Sequence, residues 1–480
     1  MMTGDQYRES LRRLHRDIYY MGERIEDVVD HPATRPHVNS AAVTYDFAND
    51  VETEDLGSTT SHLTGERISR FTHVHHSPTD LVKKVKMLRA IGQRTGTCFQ
   101  RCVGHDALNA LFGVTYDVDE KRGTSYHRRF LDYLRYIQQT DLMIDGAMTD
   151  PRGDRSLPPS KQADPDLCLR IVESRPDGIV VRGAKAHQTG AVNSHEIIAM
   201  PSAALGPEDA DYAVSFAVPS DAPGLTYIFG RQSNDARRLE DGDIDLGNAR
   251  YGIVGGEALI VFDDVFVPAD RVFLCREHEF AGSLVERFAS YHRQNYGGCK
   301  TGLADVLVGA CVAVAEYQGT AKASHIRDKI VEMVHLGETL YCGAIACSVE
   351  SSRLPSGNYF VNPLLANTAK LNVTRFLYEI ARLAQDIAGG FIATTPSEKD
   401  LRNPKVGPLV AKYMQGVAGV PAEHRIRIGR LIENMTGGTA LTEAMHGAGS
   451  PQAQRVMILR QANLDHKRRL ALRLAGISEG

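Results

Sequence analysis

Tryptophan is absent from this 480-residue sequence, and so is any block of charge of one sign. The first absence decides nothing. The second argues against a nucleic-acid partner: 55 Lys and Arg lie interspersed with 59 Asp and Glu, for a net charge of -4. Long apolar runs are missing too. The longest, Val306 to Ala315, falls far short of the ~20 residues that cross a bilayer. Met1 to Asp30 is polar and has no apolar h-region, so neither a signal peptide nor a membrane partner is expected. No dinucleotide fingerprint and no P-loop occurs. Gly447-Ala448-Gly449-Ser450-Pro451 is glycine-rich but follows no strand, so any nucleotide cofactor must be held another way. There is no internal repeat and no low-complexity segment.

What is present is a chain long enough for two or three domains. Residues 1–144 read as mostly helical, with Leu11, Leu14 and Ile18 at helical spacing, then Leu81, Val85 and Leu88 behind the cap Ser77-Pro78-Thr79-Asp80. Residues 145–279 read as an all-β module of short strands at 169–173, 179–185, 213–218, 225–229, 258–262 and 265–267. Residues 280–480 return to helix, with long helices expected around 281–318, 322–350, 365–388 and 452–475. The fold class is α+β: an N-terminal helical domain, a middle β-barrel or sandwich, and a C-terminal helical bundle.

The eight cysteines are Cys98, Cys102, Cys168, Cys275, Cys299, Cys311, Cys342 and Cys347. Scattered through a large chain, they fit free or ligating thiols in a reducing cytoplasm. Four residues stand out. Cys98 and Cys102 are four apart, and His292 and Cys299 seven apart, in segments that both read as helix, so each pair shares a face. Two helices would then present three thiolates and one imidazole to a point. Seven residues rise ~10 Å along a helix, awkward for one tetrahedral ion with bonds of ~2 Å and easier for a cluster several atoms wide. Gly297-Gly298 would let a backbone or a cluster come close. Buried free cysteine is the competing reading.

Several segments resemble the acyl-CoA dehydrogenase-like flavoproteins: Met148-Thr149-Asp150-Pro151, Val261 to Val272, and Asp386-Ile387-Ala388-Gly389-Gly390. Within them the chain is similar, end to end, to the 4-hydroxybutyryl-CoA dehydratase family. The most specific pieces are Cys98-Phe99-Gln100-Arg101-Cys102, Val181 to Gly190, Tyr291 to Lys300 and Met445 to Gln454. The segment Asp400 to Glu423 departs from the family pattern, and Phe71 to His76 is richer in histidine, with His73, His75 and His76 read as loop or surface residues.

The resemblance implies FAD and a [4Fe-4S] cluster, with Cys98, Cys102, His292 and Cys299 as ligands. It implies a 4-hydroxyacyl-CoA thioester as substrate, vinylacetyl-CoA isomerisation as a second activity, and a homotetramer built as a dimer of dimers. Elimination from such a thioester must break an unactivated C3–H bond, which one-electron oxidation of the C2 enolate makes easy. Hydroxide leaves poorly and needs a Lewis acid.

His292 would also be the C2 base, Tyr296 a proton donor, Lys300 the partner of enolate charge, and Glu257 and Glu443 the carboxylates. Gln100 would reach substrate. Thr149, Asp150 and Thr189 would touch the flavin ring, and Gly389 and Gly390 its diphosphate. Each has an ordinary alternative: a packed aromatic, a solvated lysine, a salt-bridged carboxylate or a turn hydroxyl. Two other functions stay open, a flavin-dependent aromatic hydroxylase of the same fold and a zinc-stabilised helical protein.

Overall fold

The computed structural model describes residues 1–477 except 233–234, 241 and 253–254. Six helices lead: α1 (Gly4–Arg12), α2 (Arg35–Asn49), α3 (Glu54–Gly57), α4 (Pro78–Thr95), α5 (Cys102–Arg122) and α6 (Tyr126–Thr140). The strands are β1 (Asp17–Tyr20), β2 (Glu23–Arg24), β3 (Ser58–Thr60), β4 (Arg67–Ser69), β5 (Ile144–Ala147), β6 (Arg170–Arg175), β7 (Gly178–Thr189), β8 (Glu196–Ala199), β9 (Val214–Pro219), β10 (Leu225–Phe229), β11 (Glu257–Pro268) and β12 (Val272–Cys275). A small hairpin, β13 (Ser352–Arg353) and β14 (Tyr359–Phe360), joins two of the later helices. Those are α7 (His278–Tyr317), α8 (Ser324–Val349), α9 (Pro363–Ala388), α10 (Glu398–Arg402), α11 (Gly407–Tyr413), α12 (Ala422–Met435), α13 (Gly438–His446), α14 (Pro451–Gln461) and α15 (Leu464–Leu474).

Two sheets share one apolar core with α5 and α6. The larger has strand order β2-β1-β10-β11-β7-β6, the smaller β12-β9-β8-β5. The expected breaks near residue 263 do not split β11. Its ladder with β7 slips between Phe262 and Val265, and Asp264 takes φ +53° there, so the interruption is a bulge inside one strand.

The N-terminal reading needs correction. Leu11 closes the buried face of α1, but Ile18 sits in β1, which pairs in parallel with β10 and ties the first residues into the sheet. That pairing is tertiary, and three apolar residues at helical spacing cannot reveal it. The expected helix at 452–475 is two, broken at Asn463 with φ +45°.

Forty residues make α7, about 60 Å of helix through the centre. Residues 288–298 of it are all buried. By length and composition α7 and α8 could cross a membrane, but α7 packs on α4, α5, α8 and α9. Small residues permit that crowding. A Cβ on Gly298 would fall 2.8 Å from the Val85 carbonyl oxygen, and one on Gly297 would fall 2.7 Å from that of Leu340. The glycine pair thus makes room for α4 and α8. Gly302 meets α4 in the same way, where a Cβ would overlap the Arg89 carbonyl oxygen. Both sides of that contact are backbone, so Gly302→Ala is expected to cost about 1–3 kcal/mol. Thermal or urea unfolding checks it; an unchanged midpoint would mean the helices can separate freely.

Candidate functional site

Ser77 caps α4 as expected, accepting from the Asp80 amide, and Gly96 ends the helix in the left-handed region at φ +61°. Residues 97–101 therefore form a turn rather than a helix, and α5 begins only at Cys102. Cys98 and Cys102 do not share a helix face, which corrects the spacing argument. Gln100, at φ +67°, folds the turn back. Its amide donates to the His37 carbonyl oxygen (3.2 Å) and Ser40 Oγ (3.1 Å) and accepts from Asn193 Nδ2 (2.5 Å). Gln100 is fully buried, with its polar atoms engaged inside the chain.

The turn still delivers the thiols. Cys102 and Cys299 lie in one apolar cluster with Phe47, Phe71, Met87, Leu88, Ile91 and Phe99. Burial pushes the Cys98 thiol up to about 12 and that of Cys299 up to about 11, and holds Cys102 well above the ordinary thiol value. The charge of Cys98 and of Cys299 acts on Cys102, and that of Cys299 on Cys98, so the three are close. Ionised ligands here need a positive group to sit among them.

Sequence reasoning missed Asp106, which reaches this group from α5. It is fully buried, accepts from Lys84 Nζ (2.6 Å) and Asn295 Nδ2 (2.5 Å), and meets His292 Nδ1 at 2.8 Å. Burial pushes its carboxyl up, but the Lys84 charge and the His292 hydrogen bond outweigh this and hold it below the ordinary value. With Nδ1 committed, the imidazole has Nε2 left for a ligand or a proton. Phe288 stacks on the ring, centroids 5.6 Å apart. The signal was there: Asp106 follows Cys102 by four residues, on the same face of α5.

Tyr296, Lys300 and Glu443 converge one turn further. Tyr296 donates to Glu443 Oε1 (2.7 Å), and Lys300 forms a close ion pair with Oε2. Burial would raise the Glu443 carboxyl; Lys300 and Tyr296 prevail and lower it. Glu257 goes the other way. Burial, then the charge of Glu443, raises its carboxyl to about 8. It opens β11 opposite Thr189, whose hydroxyl lies 3.4 Å from Oε1. A Cβ on the nearby Gly255 would overlap the Thr189 methyl and lie 3.4 Å from Cys98 Sγ, so this corner adjoins the thiols.

The raised carboxyl has a stability consequence. Folded Glu257 holds its proton above the pH at which the unfolded residue releases it. Its contribution to stability is therefore lost as pH rises from about 4.5 to about 8. Glu257→Gln is expected to become progressively more stable than the parent across that window and to level off above it. Calorimetry at pH 5, 7 and 9 reads the gap; a gap independent of pH would place this carboxyl in ordinary solvent.

The remaining expected residues divide. The Thr149 carbonyl oxygen accepts from the Ala186 amide and from Gln188 Nε2, at the mouth between β5 and β7. Asp150 is occupied by Lys185 Nζ (2.7 Å), Ser202 Oγ (2.6 Å) and the Leu169 amide. Gly389 and Gly390 line a cleft of about 690 Å3 with Glu433, Thr436, Gly437 and Gly438, and Cβ atoms on either would meet open space. α13 starts at this cleft and carries Glu443 at its other end.

His73 and His75 are buried and His76 half-buried, correcting the surface reading; their rings pack with His62 and His105. Among the described residues no three His, Cys, Asp or Glu side chains sit close enough to share one metal ion. For the three thiols and His292 this argues against a single zinc, whose ligands must all lie ~2 Å from one point. Three soft thiolates and an imidazole are donor types that an iron–sulfur group accepts.

Models of the 4-hydroxyphenylacetate 3-hydroxylase N-terminal and C-terminal regions match residues 3–274 and 281–476. A 4-hydroxybutyryl-CoA dehydratase/vinylacetyl-CoA-Delta-isomerase of Clostridium aminobutyricum is 56% identical over 99% of this chain and 100% of its own length. A solved oxygen-tolerant archaeal 4-hydroxybutyryl-CoA dehydratase from N. maritimus superposes with TM-score 0.97 at 54% identity, covering 100% of this chain and 95% of that one. The FAD complex of a 4-hydroxyphenylacetate 3-monooxygenase oxygenase component shares the fold, with TM-score 0.86 at 23% identity over 99% of both chains. The chain therefore belongs to the 4-hydroxyphenylacetate 3-hydroxylase family and, within it, to the 4-hydroxybutyryl-CoA dehydratase/vinylacetyl-CoA isomerase branch.

Proposed function

We propose that this protein dehydrates 4-hydroxybutyryl-CoA to crotonyl-CoA and isomerises vinylacetyl-CoA, with FAD and a [4Fe-4S] cluster as resident cofactors. The observation that carries the reading is end-to-end identity of 56% with an enzyme of that name. Cys98, Cys102, Cys299 and His292 would hold the cluster. Thr149, Asp150 and Thr189 would border the flavin ring, and the Gly389–Gly390 cleft would take its diphosphate. When bound, the flavin supplies a one-electron acceptor and the cluster a Lewis-acidic iron.

The chain's own residues do the rest. His292, oriented through Nδ1 by Asp106, would take the C2 proton on Nε2 when that nitrogen is free of the cluster. Lys300 supplies positive charge beside the developing enolate, and Tyr296 passes a proton to or from Glu443. Two carboxyls with pKa values pushed apart suit opposite tasks: Glu257 protonated at neutral pH as donor, Glu443 ionised as acceptor. Gln100, its amide committed inside the chain, orders the turn between the two cysteines.

The assembly proposed is a homotetramer, a dimer of dimers; exposed Val331 and Val334 on α8, Leu459 on α14 and Leu464 and Leu474 on α15 offer apolar surface for contact between copies through the C-terminal helices. A cytoplasmic location suits eight unpaired cysteines.

Protein purified without oxygen tests the reading. About four iron and four acid-labile sulfide per chain are expected, with a flavin band and turnover of 4-hydroxybutyryl-CoA. Zinc as the dominant metal, or loaded protein without turnover, would overturn it.

A further inference from the structure

Glu443 lies in the last turn of a nine-residue helix, an unpromising place to hold a catalytic carboxylate still. Helix ends leave their last carbonyl groups without intrahelical donors, and short helices fray. Here the end is tied down from outside. Lys370, on α9, is fully buried, and its Nζ donates to the carbonyl oxygens of Ala444 (2.8 Å) and Met445 (3.1 Å). The same Nζ stands 4.5 Å from the centroid of the Tyr296 ring.

A second tie comes from α7. Arg293 Nε donates to the Ala448 carbonyl oxygen (3.0 Å), while its other arm reaches Asn367 Oδ1 (2.7 Å) on α9. Between the two ties Gly447 packs so tightly that a Cβ there would overlap the Tyr296 hydroxyl. The segment 444–449 is therefore moulded onto the tyrosine that donates to Glu443.

Two lysines divide the work. Lys300 pairs with the carboxylate itself; the hydrogen bonds of Lys370 go to the backbone behind it. The groups facing Lys370 are Glu443 on α13 and Lys300, Arg293, Tyr296 and Cys299 on α7. Burial lowers its amine to about 7 against the attraction of Glu443. An amine donates N–H bonds in either protonation state, so the tie survives on both sides of neutrality.

We infer that Lys370 is a positioning residue of the reaction: by fixing the last turn of α13 it sets the orientation of Glu443 towards Tyr296 and Lys300. The inference rests on the reading of Glu443 as a group of the dehydration site.

The test compares Lys370→Met and Lys370→Gln, each one atom shorter than lysine: methionine has no donor, whereas glutamine keeps amide N–H groups directed at the same carbonyls. Both are made as cofactor-loaded protein. Lys370→Met is expected to lower kcat for 4-hydroxybutyryl-CoA at least ~10-fold with KM within about twofold, iron and flavin contents unchanged, and Lys370→Gln to recover most of the loss. Amide hydrogen exchange of residues 438–449, measured without substrate, should speed up at least ~10-fold in Lys370→Met and return towards the parent in Lys370→Gln.

Parent-like exchange and turnover in Lys370→Met overturns the inference. So does equal damage in both variants, which would make charge, not the hydrogen bonds, the contribution. If Lys370→Met does not fold, Lys370→Gln decides alone, and an exchange rate there more than about tenfold above the parent overturns it. Faster exchange with unchanged kcat would instead remove Glu443 from the reaction while leaving the tie in place; Glu443→Gln assayed alongside identifies that case by keeping full turnover.

Discussion

Cys299→Ala is expected to yield a folded protein that binds little iron and has lost dehydration by far more than the ~100-fold caused by removing a residue that only orients a ligand. Cys299 lies at the crossing of α4 and α7, where a Cβ on Gly92 would fall 2.8 Å from its carbonyl oxygen. The backbone there is held by helix packing, independently of any metal. Alanine removes one sulfur from a partly buried site and leaves the helix intact, so circular dichroism should be unchanged while iron content falls. Cys98→Ala and Cys102→Ala should behave alike, since each thiol feels the others through the same buried space. Cys311→Ala, buried on the same helix within a purely apolar cluster, is the control and should keep its iron. A full iron complement with normal turnover in Cys299→Ala would remove it from the ligand set.

The sequence displayed the donor types clearly and their arrangement poorly. Thiols and imidazoles are rare enough that Cys98, Cys102, His292 and Cys299 stand out as residues. Their geometry depends on where α4 stops, and a left-handed glycine at residue 96 moves Cys98 off the helix that spacing assigned to it. The glycine pair signals the close approach of a backbone or a cluster, and the backbones that approach are those of α4 and α8. The same logic hid β1. Its partner β10 lies some two hundred residues away, and a four-residue strand carries no periodicity of its own. Long helices were legible in the C-terminal half because a 3.6-residue apolar period repeats over many turns. The histidines of 73–76 read as surface or loop residues; they do lie in a loop, but ring-to-ring packing with His62 and His105 takes it into the interior, a contact between segments that no local pattern encodes.

The least legible residue supports the last prediction. Asp106 joins a buried ion pair to the orientation of His292, and the two roles can be separated. Asp106→Leu leaves the Lys84 ammonium buried without its partner, and such breaks cost about 3–5 kcal/mol. It also frees His292 Nδ1. In the double variant Lys84→Met/Asp106→Leu the uncompensated charge is gone, and apolar side chains of similar volume refill the space. Stability should return to within about 1 kcal/mol of the parent, because buried pairs are often neutral against well-packed hydrophobic replacements. Activity should not return. The imidazole would still lack the carboxylate that fixes its ring, and the loss expected from that alone is ~10–100-fold in metal affinity or turnover. The pH dependence separates the roles again. The folded carboxyl lies below its ordinary value, so its contribution to stability is complete above the unfolded carboxyl value near ~4 and is lost as pH falls through the folded one. The double variant should therefore lack that acid-side loss. Recovery of both stability and turnover in the double variant would show that Asp106 serves only to neutralise Lys84, and that His292 is oriented by its stack on Phe288.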